Sequence, residues 1–476
     1  MSLFIEIELQ HVAAAMIVCY LIYYFWKASF KPGYPIRTVR GYPLLGVALD
    51  LVAERILPTF RKFSSIYGKV YQLYALQTRY IVISDVSLVR EILQKRPKTF
   101  RRTRKMEEPL ATIHGSDGLF GAEGNLWAKL RRHNSPSFSK QNVELMLGAM
   151  FDEANQLMER LKDQCAEKAE ASSVCVDIDK ELSLFIIEVL VRLSLGNASG
   201  EAKDYLHSEQ FRLDLMLQFK YVAERLLFPF PRYLWKLTPM FKLEIEAIRL
   251  SKILTTHCES VIQQARQSSG EDCPSDGSLM SHLIREDNSI NDRGLSNDEI
   301  LSAVVTFLVA GSETNTTTAS WMPYFLIMNP DALHRMREEV DGFFAAYGDD
   351  VKRHIQEFVQ LPFCTAVVKE TLRLAGPVPF LLIQTTDNSS TAELSNGLPI
   401  EPKDEIVLDF EACCLDEEVF SSAKSFLPSR WLTHDSKQLE LMNASFLVFG
   451  GGSRTCPGIW NCYTPPLPAI SKCEIF

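Results

Sequence analysis

Phe449-Gly450-Gly451-Gly452-Ser453-Arg454-Thr455-Cys456-Pro457-Gly458 is the stretch that decides how this chain reads. An aromatic residue, three consecutive glycines, an arginine and a cysteine describe a tight loop offering one sulfur, and its glycines let the backbone approach something large and flat. Two readings stand side by side: a Gly-rich turn next to a buried thiol, or a loop that presents Cys456 as a ligand. It is not a phosphate loop. The Lys-Ser/Thr pair that a Walker sequence needs after its glycines is missing, and no strand-helix unit with a downstream acid supports dinucleotide binding.

The ligand reading has a definite chemistry. A cysteine thiolate is an axial haem ligand that pushes electron density onto iron and favours O–O cleavage, and N–H groups freed by glycine tune the sulfur. Arg454, two residues before the sulfur, suits a haem propionate through charge-assisted hydrogen bonds.

Working outward, Leu295-Ser296-Asn297-Asp298-Glu299-Ile300 opens a helix, with Ser296 and Glu299 as a capping box and Leu295 and Ile300 as its hydrophobic staple. The helix that follows is nearly all apolar, so polar residues in its middle need a reason. They lie in Ala310-Gly311-Ser312-Glu313-Thr314-Asn315. Gly311 removes a side chain where a ligand could approach, and the Thr314 hydroxyl can bond back to the Ala310 carbonyl and open a groove for dioxygen and water. Glu313 and Thr314 then make a proton relay. The competing reading is a kinked core helix with a satisfied polar cluster. Pro323 is expected to kink or end this helix.

Trp127-Ala128-Lys129-Leu130-Arg131 sets an indole and a guanidinium at i and i+4 on one helix face, which also suits a surface helix with a half-buried Trp. Glu370-Thr371-Leu372-Arg373 sets acid and base at i and i+3. Phe426-Leu427-Pro428-Ser429-Arg430-Trp431 adds a second arginine.

Together, in this order, these motifs resemble those of the cytochrome P-450 monooxygenases, whose haem-binding signature F-G-G-G-S-R-T-C-P-G is similar to. The resemblance implies a fold that is mainly α with a small β-rich part, and a haem b (iron protoporphyrin IX) cofactor. Cys456 would ligate the iron; Trp127, Arg131 and Arg454 would hold propionates; Ala310, Gly311 and Phe449 would line the cofactor. Thr314 and Glu313 would deliver protons. Glu370, Arg373 and Arg430 would form a buried structural triad that serves register more than stability. Two departures stand out: Ser429 replaces the usual Glu of the third motif, and Ile383 falls where many relatives carry a propionate-binding arginine. The activity implied is hydroxylation of a lipophilic small molecule (lipid, sterol, terpenoid or xenobiotic) by O2, with electrons from an NADPH-dependent cytochrome reductase and cytochrome b5 as a second donor. An isomerase or dehydratase on the same fold, or a non-catalytic remnant, are the rivals.

The rest of the chain agrees with a large enzyme. Its 476 residues, 46% hydrophobic, can bury a sizeable core, and a net charge of −9 argues against nucleic acid as a partner. Eleven cysteines without paired spacing suggest a reducing compartment rather than a disulfide framework. Val12 to Trp26 is uncharged and apolar, preceded by Glu6 and Glu8 and followed by Lys27, Lys31, Arg37 and Arg40. By the positive-inside rule that pattern predicts a membrane anchor with the body on the cytoplasmic face of the endoplasmic reticulum. The expected organisation is an anchor over 1–30, a proline-rich hinge over 31–46, the catalytic body over 47–458 and a tail over 459–476. Pro465, Pro466 and Pro468 exclude most of a helix from that tail, where relatives continue into a helix beside the thiolate, so weak haem retention is expected.

Overall fold

The computed structural model describes residues 15–20, 23, 36–42, 45–76, 78–112, 117–167, 176–196, 201–228, 232–268, 278–289, 295–348, 351–386, 391–402 and 404–459. The proline-rich stretch 31–35 and the tail beyond Ile459 therefore lie outside the described residues. So does most of Val12 to Trp26, of which 15–20 are helical with exposed side chains. Among the described residues no helix is long and apolar enough to cross a membrane.

The chain forms two compact units. The smaller draws on Met1–Thr103, Leu227–Thr238 and Phe380–Ala412, and the larger on Arg104–Leu226, Pro239–Pro379 and Cys413–Phe476.

The smaller unit is built on a six-stranded sheet. Its strands are β1 (Arg37–Thr38), β2 (Val70–Ala75), β3 (Thr78–Ile83), β4 (Phe100–Arg102), β5 (Phe380–Thr385) and β8 (Glu405–Asp409), in the order β1-β2-β3-β8-β5-β4. A two-stranded ribbon, β6 (Ala392–Glu393) and β7 (Pro399–Ile400), lies apart in the hydrogen-bonding pattern. β2 and β3 form an antiparallel hairpin with Ala75 opposite Thr78, and Leu76 at its turn takes a positive φ of 54°. β8 is buried along its whole length, because β3 and β5 flank it on both edges and both of its faces are covered. Such a strand reads as a continuous apolar run, here Ile406-Val407-Leu408, with charge pushed to its ends. Helices α1 (Ala48–Ala53), α2 (Ile56–Tyr67) and α3 (Val86–Gln94) complete the unit. α3 starts where Asp85 accepts the Leu88 N–H at 3.0 Å, and it buries Leu88, Val89, Ile92 and Leu93 along one stripe.

The larger unit is helical. Its main helices are α4 (Gly124–Asn134), α5 (Lys140–Glu167), α6 (Ile178–Leu195), α7 (Glu209–Leu227), α8 (Phe241–Ser268), α9 (Leu279–Ser289), α10 (Asn297–Met328), α11 (Pro330–Tyr347), α12 (Pro362–Leu374) and α13 (Ser436–Ser445). α10 is the axis. Its capping box forms as the sequence predicts: the Glu299 N–H donates to Ser296 Oγ at 3.2 Å and the Ser296 N–H to Glu299 Oε2 at 2.8 Å. Leu295 and Ile300 are buried beside it. α6 packs along α10 and is itself wrapped on all sides, with Phe185, Ile186, Val189, Leu190 and Val191 buried. Each such side chain contributes roughly 1.5–3 kcal/mol relative to exposure. Of the two outcomes expected at Pro323, α10 does not end there but runs on to Met328 with Pro323 buried. The core contacts of Met322 and Leu326 offset the one hydrogen bond that proline removes.

Candidate active site

The decisive loop folds on its own hydrogen bonds. The Cys456 N–H donates to the Phe449 carbonyl at 3.0 Å, closing the ring, and the Gly450 N–H donates to Leu447 O at 2.8 Å. Gly450 (φ 70°) and Gly452 (φ 65°) occupy the left-handed region that other residues adopt only at a cost. A Cβ on Gly450 would meet nothing within 4 Å, so backbone conformation and not space demands glycine there. Phe446, Val448 and Phe449 anchor the loop against a core that includes Leu326, Phe363 and Leu372. In the further turn Pro457-Gly458, the Gly458 N–H points at the Cys456 sulfur.

Cys456 is open to solvent on one side while protein crowds it on the others. That crowding pushes its thiol above the ordinary value, and the Gly458 N–H and the Arg131 charge act in the opposite direction. The influence is mutual: burial lowers Arg131 from its usual value while the charge at Cys456 supports it. The N–H and the positive charge each favour the anion, but burial outweighs them in the protein alone.

α4 brings the other expected residues to this loop. Trp127 is buried, and the Arg454 guanidinium lies 4.2 Å from the centre of its ring. Arg454 Nη2 also donates to Glu123 Oε2 at 2.5 Å. Lys129 ties the same helix to the start of α10 through Glu299, at 2.7 Å and 2.9 Å. Neither Glu123 nor Lys129 was legible as a site residue. The only signal was an acid four positions before Trp127.

The polar break of α10 is held by its own side chains. Thr314 Oγ1 donates to Ala310 O at 2.7 Å, Asn315 Nδ2 to Gly311 O at 2.8 Å and Thr318 Oγ1 to Thr314 O at 2.9 Å. Ala310 is exposed in the middle of this otherwise well-covered helix, and Thr314 is half-buried. Gly311 serves packing: a Cβ there would sit 2.8 Å from Leu190 Cδ2, so its bare face lets α6 approach. Glu313 is directed elsewhere than Thr314. Burial pushes its carboxyl above the ordinary range, Asp179 of α6 adds to that, and Arg212 of α7 opposes it. Among the described residues no hydrogen bond joins Glu313 or Cys456 to the Thr314 hydroxyl.

Glu370, Arg373 and Arg430 do come together. Arg373 grips Glu370 with two bonds, Nε to Oε2 at 2.9 Å and Nη2 to Oε1 at 2.8 Å, and Arg430 Nε adds a third at 3.0 Å. Trp431 Nε1 (2.9 Å) and the Leu427 N–H (2.9 Å) complete the carboxylate's shell, two partners the sequence did not announce. Ser429, in place of the usual Glu, is exposed and takes no part in it.

A family model described as Cytochrome P450 matches residues 37–459. Tabersonine 16-hydroxylase 2 of Catharanthus roseus is 25% identical over 435 residues, which cover 88% of this chain and 80% of that protein. Steroid 17-alpha-hydroxylase/17,20 lyase of Oryzias latipes is 26% identical, covering 91% of this chain and 82% of that protein. A bifunctional cytochrome P450/NADPH–P450 reductase of Aspergillus oryzae is 27% identical, covering 89% of this chain but 37% of that longer protein. With a mainly helical fold, a small mixed sheet and a cysteine loop of this form, the chain belongs to the cytochrome P450 family of haem-dependent monooxygenases.

Proposed function

We propose that this protein hydroxylates a lipophilic small molecule, holding haem through Cys456 and drawing electrons from a separate NADPH-dependent reductase. The observation that carries the reading is the sulfur of Cys456, exposed at the end of a glycine loop closed by the bond from its own N–H to the Phe449 carbonyl, with the Gly458 N–H on the sulfur and the charge of Arg131 acting on it. The residues present fit the group: a sulfur with an N–H and a positive charge acting on it against the effect of burial, and two guanidinium groups with an indole suited to propionates. Bound there, haem supplies the redox chemistry that activates dioxygen.

The chain's own part is protonic and structural. The Thr314 hydroxyl is oriented by its bond to Ala310 O, so its lone pairs face away from the helix ladder and can accept and pass a proton. Glu313 holds its proton to higher pH than an exposed carboxyl because burial disfavours its charge, which suits it to resupply protons from the side of Asp179 and Arg212. Relatives named as hydroxylases of tabersonine and of a steroid support hydroxylation as the reaction. The relative fused to a reductase supports the electron source.

The anchor belongs to the same proposal: residues 12–26 hold the protein to the endoplasmic reticulum with its body on the cytoplasmic face, as the charge asymmetry around them suggests. Supplied with reductase, NADPH, 18O2 and mixed steroid and terpenoid extracts, the protein is expected to yield products that carry a single 18O atom. Products labelled from water, or formed equally without NADPH, would contradict the reading.

A further inference from the structure

Glu123 sits at the N-cap of α4 in an extended conformation (φ −128°, ψ 168°), yet its side chain caps none of the free N–H groups there. An acid in this position ordinarily gains by capping, so another partner must outweigh that gain. The partner is Arg454, 331 residues away in sequence and two residues before Cys456. Arg454 Nη2 meets Glu123 Oε2 at 2.5 Å, and the same guanidinium stacks over Trp127 at 4.2 Å, one turn further along α4. The side chains of the pair are 4% and 17% exposed, so solvent and salt screen it little.

Both contacts act on one guanidinium. The ring of Trp127 bounds the guanidinium on one side, and the carboxylate of Glu123 holds it through Nη2. A guanidinium carries five N–H donors, so one carboxylate bond does not exhaust it. We propose that Glu123 is a positioning residue that clips the Cys456 loop to α4 and holds Arg454 in the orientation from which it meets a haem propionate. The haem half of this proposal rests on the function proposed above, whereas the clip stands on the protein alone. Pre-setting the guanidinium removes an ordering cost that haem binding would otherwise meet.

The alternative is that Glu123 competes with the propionate for Arg454, and the test separates the two. Glu123→Gln keeps shape and a neutral acceptor, and Glu123→Ala removes both. In the haem-free protein, amide hydrogen exchange over residues 450–458 should speed up on the order of tenfold in the Ala variant and less in the Gln variant, as loss of a charge-assisted bond implies. In the haem-loaded protein, transfer of haem to apomyoglobin should quicken in the same order, while the Soret position of the reduced CO complex stays that of the parent. Unchanged loop exchange would overturn the clip. Faster exchange with slower haem transfer would overturn the positioning role in favour of competition. If the parent itself lacks a thiolate Soret band, the functional reading fails and the exchange measurements still decide the clip.

Discussion

Glu370 accepts five hydrogen bonds, from Arg373 twice, Arg430, Trp431 and the Leu427 N–H, and is fully buried. Removing it would strand two guanidinium groups, one of which also donates to the carbonyls of Cys414 and Ala423. Breaking a buried charge network in this way costs about 3–5 kcal/mol. Glu370→Ala should therefore lower the urea midpoint steeply or leave the protein insoluble, with a smaller loss for Glu370→Gln; an unchanged midpoint would contradict the account. Spacing showed only that the acid and first arginine face together one helical turn apart, and the triad itself came from the family resemblance. Its two other donors were not legible, because a backbone N–H leaves no mark in sequence and Trp431 could equally have been plain core. The same holds for Thr314, whose bond to Ala310 was foreseen while the parallel bonds of Asn315 and Thr318 were not. Thr314→Ala is expected to keep haem binding but to divert reducing equivalents to hydrogen peroxide and water. The ratio of product formed to NADPH consumed measures this, and an unchanged ratio would remove Thr314 from proton delivery.

At the scale of elements, capping chemistry set the starts correctly and tertiary packing overrode local signals inside. α10 begins at the capping box read from its sequence. Pro323 was the strongest local breaker in α10, but a helix whose flanking residues sit in a core tolerates one missing bond. Gly311 shows a contact that the sequence did not announce: a glycine in a helix can make room for a ligand or for a neighbouring helix, and periodicity alone does not reveal that a Cβ here would meet Leu190. The junction after β8 carries a testable titration. Burial raises the Asp409 carboxyl to about 6, with the Ala412 N–H opposing, then Glu411 adding and Arg61 opposing. The folded protein thus keeps a proton that the unfolded chain releases earlier. This group's contribution to stability is fully present below the ordinary aspartate value and is lost as pH rises through about 6. Asp409→Asn retains an acceptor for the Ala412 N–H at 2.9 Å, and should flatten the fall in Tm between pH ~4 and ~7. A parallel pH profile in parent and variant would contradict the shift.

For the molecule as a whole, the helical class and the small β-rich part were implied by the family resemblance that the order of the motifs carries. The division into two units was not, since each is stitched from three separated stretches of chain and composition marks no boundary between them. The site residues Trp127, Arg131, Arg454 and Cys456 do gather in one unit, although more than 300 positions separate α4 from the loop. If residues 12–26 anchor the protein as proposed, protease added to intact microsomes digests the body; full protection would contradict that orientation. The account turns, however, on one atom. The reduced CO complex of the protein should give the red-shifted Soret band of a thiolate ligand, and Cys456→Ser should lose it. Survival of that band in Cys456→Ser, or its absence from a parent that binds haem stoichiometrically, would contradict the assignment of Cys456.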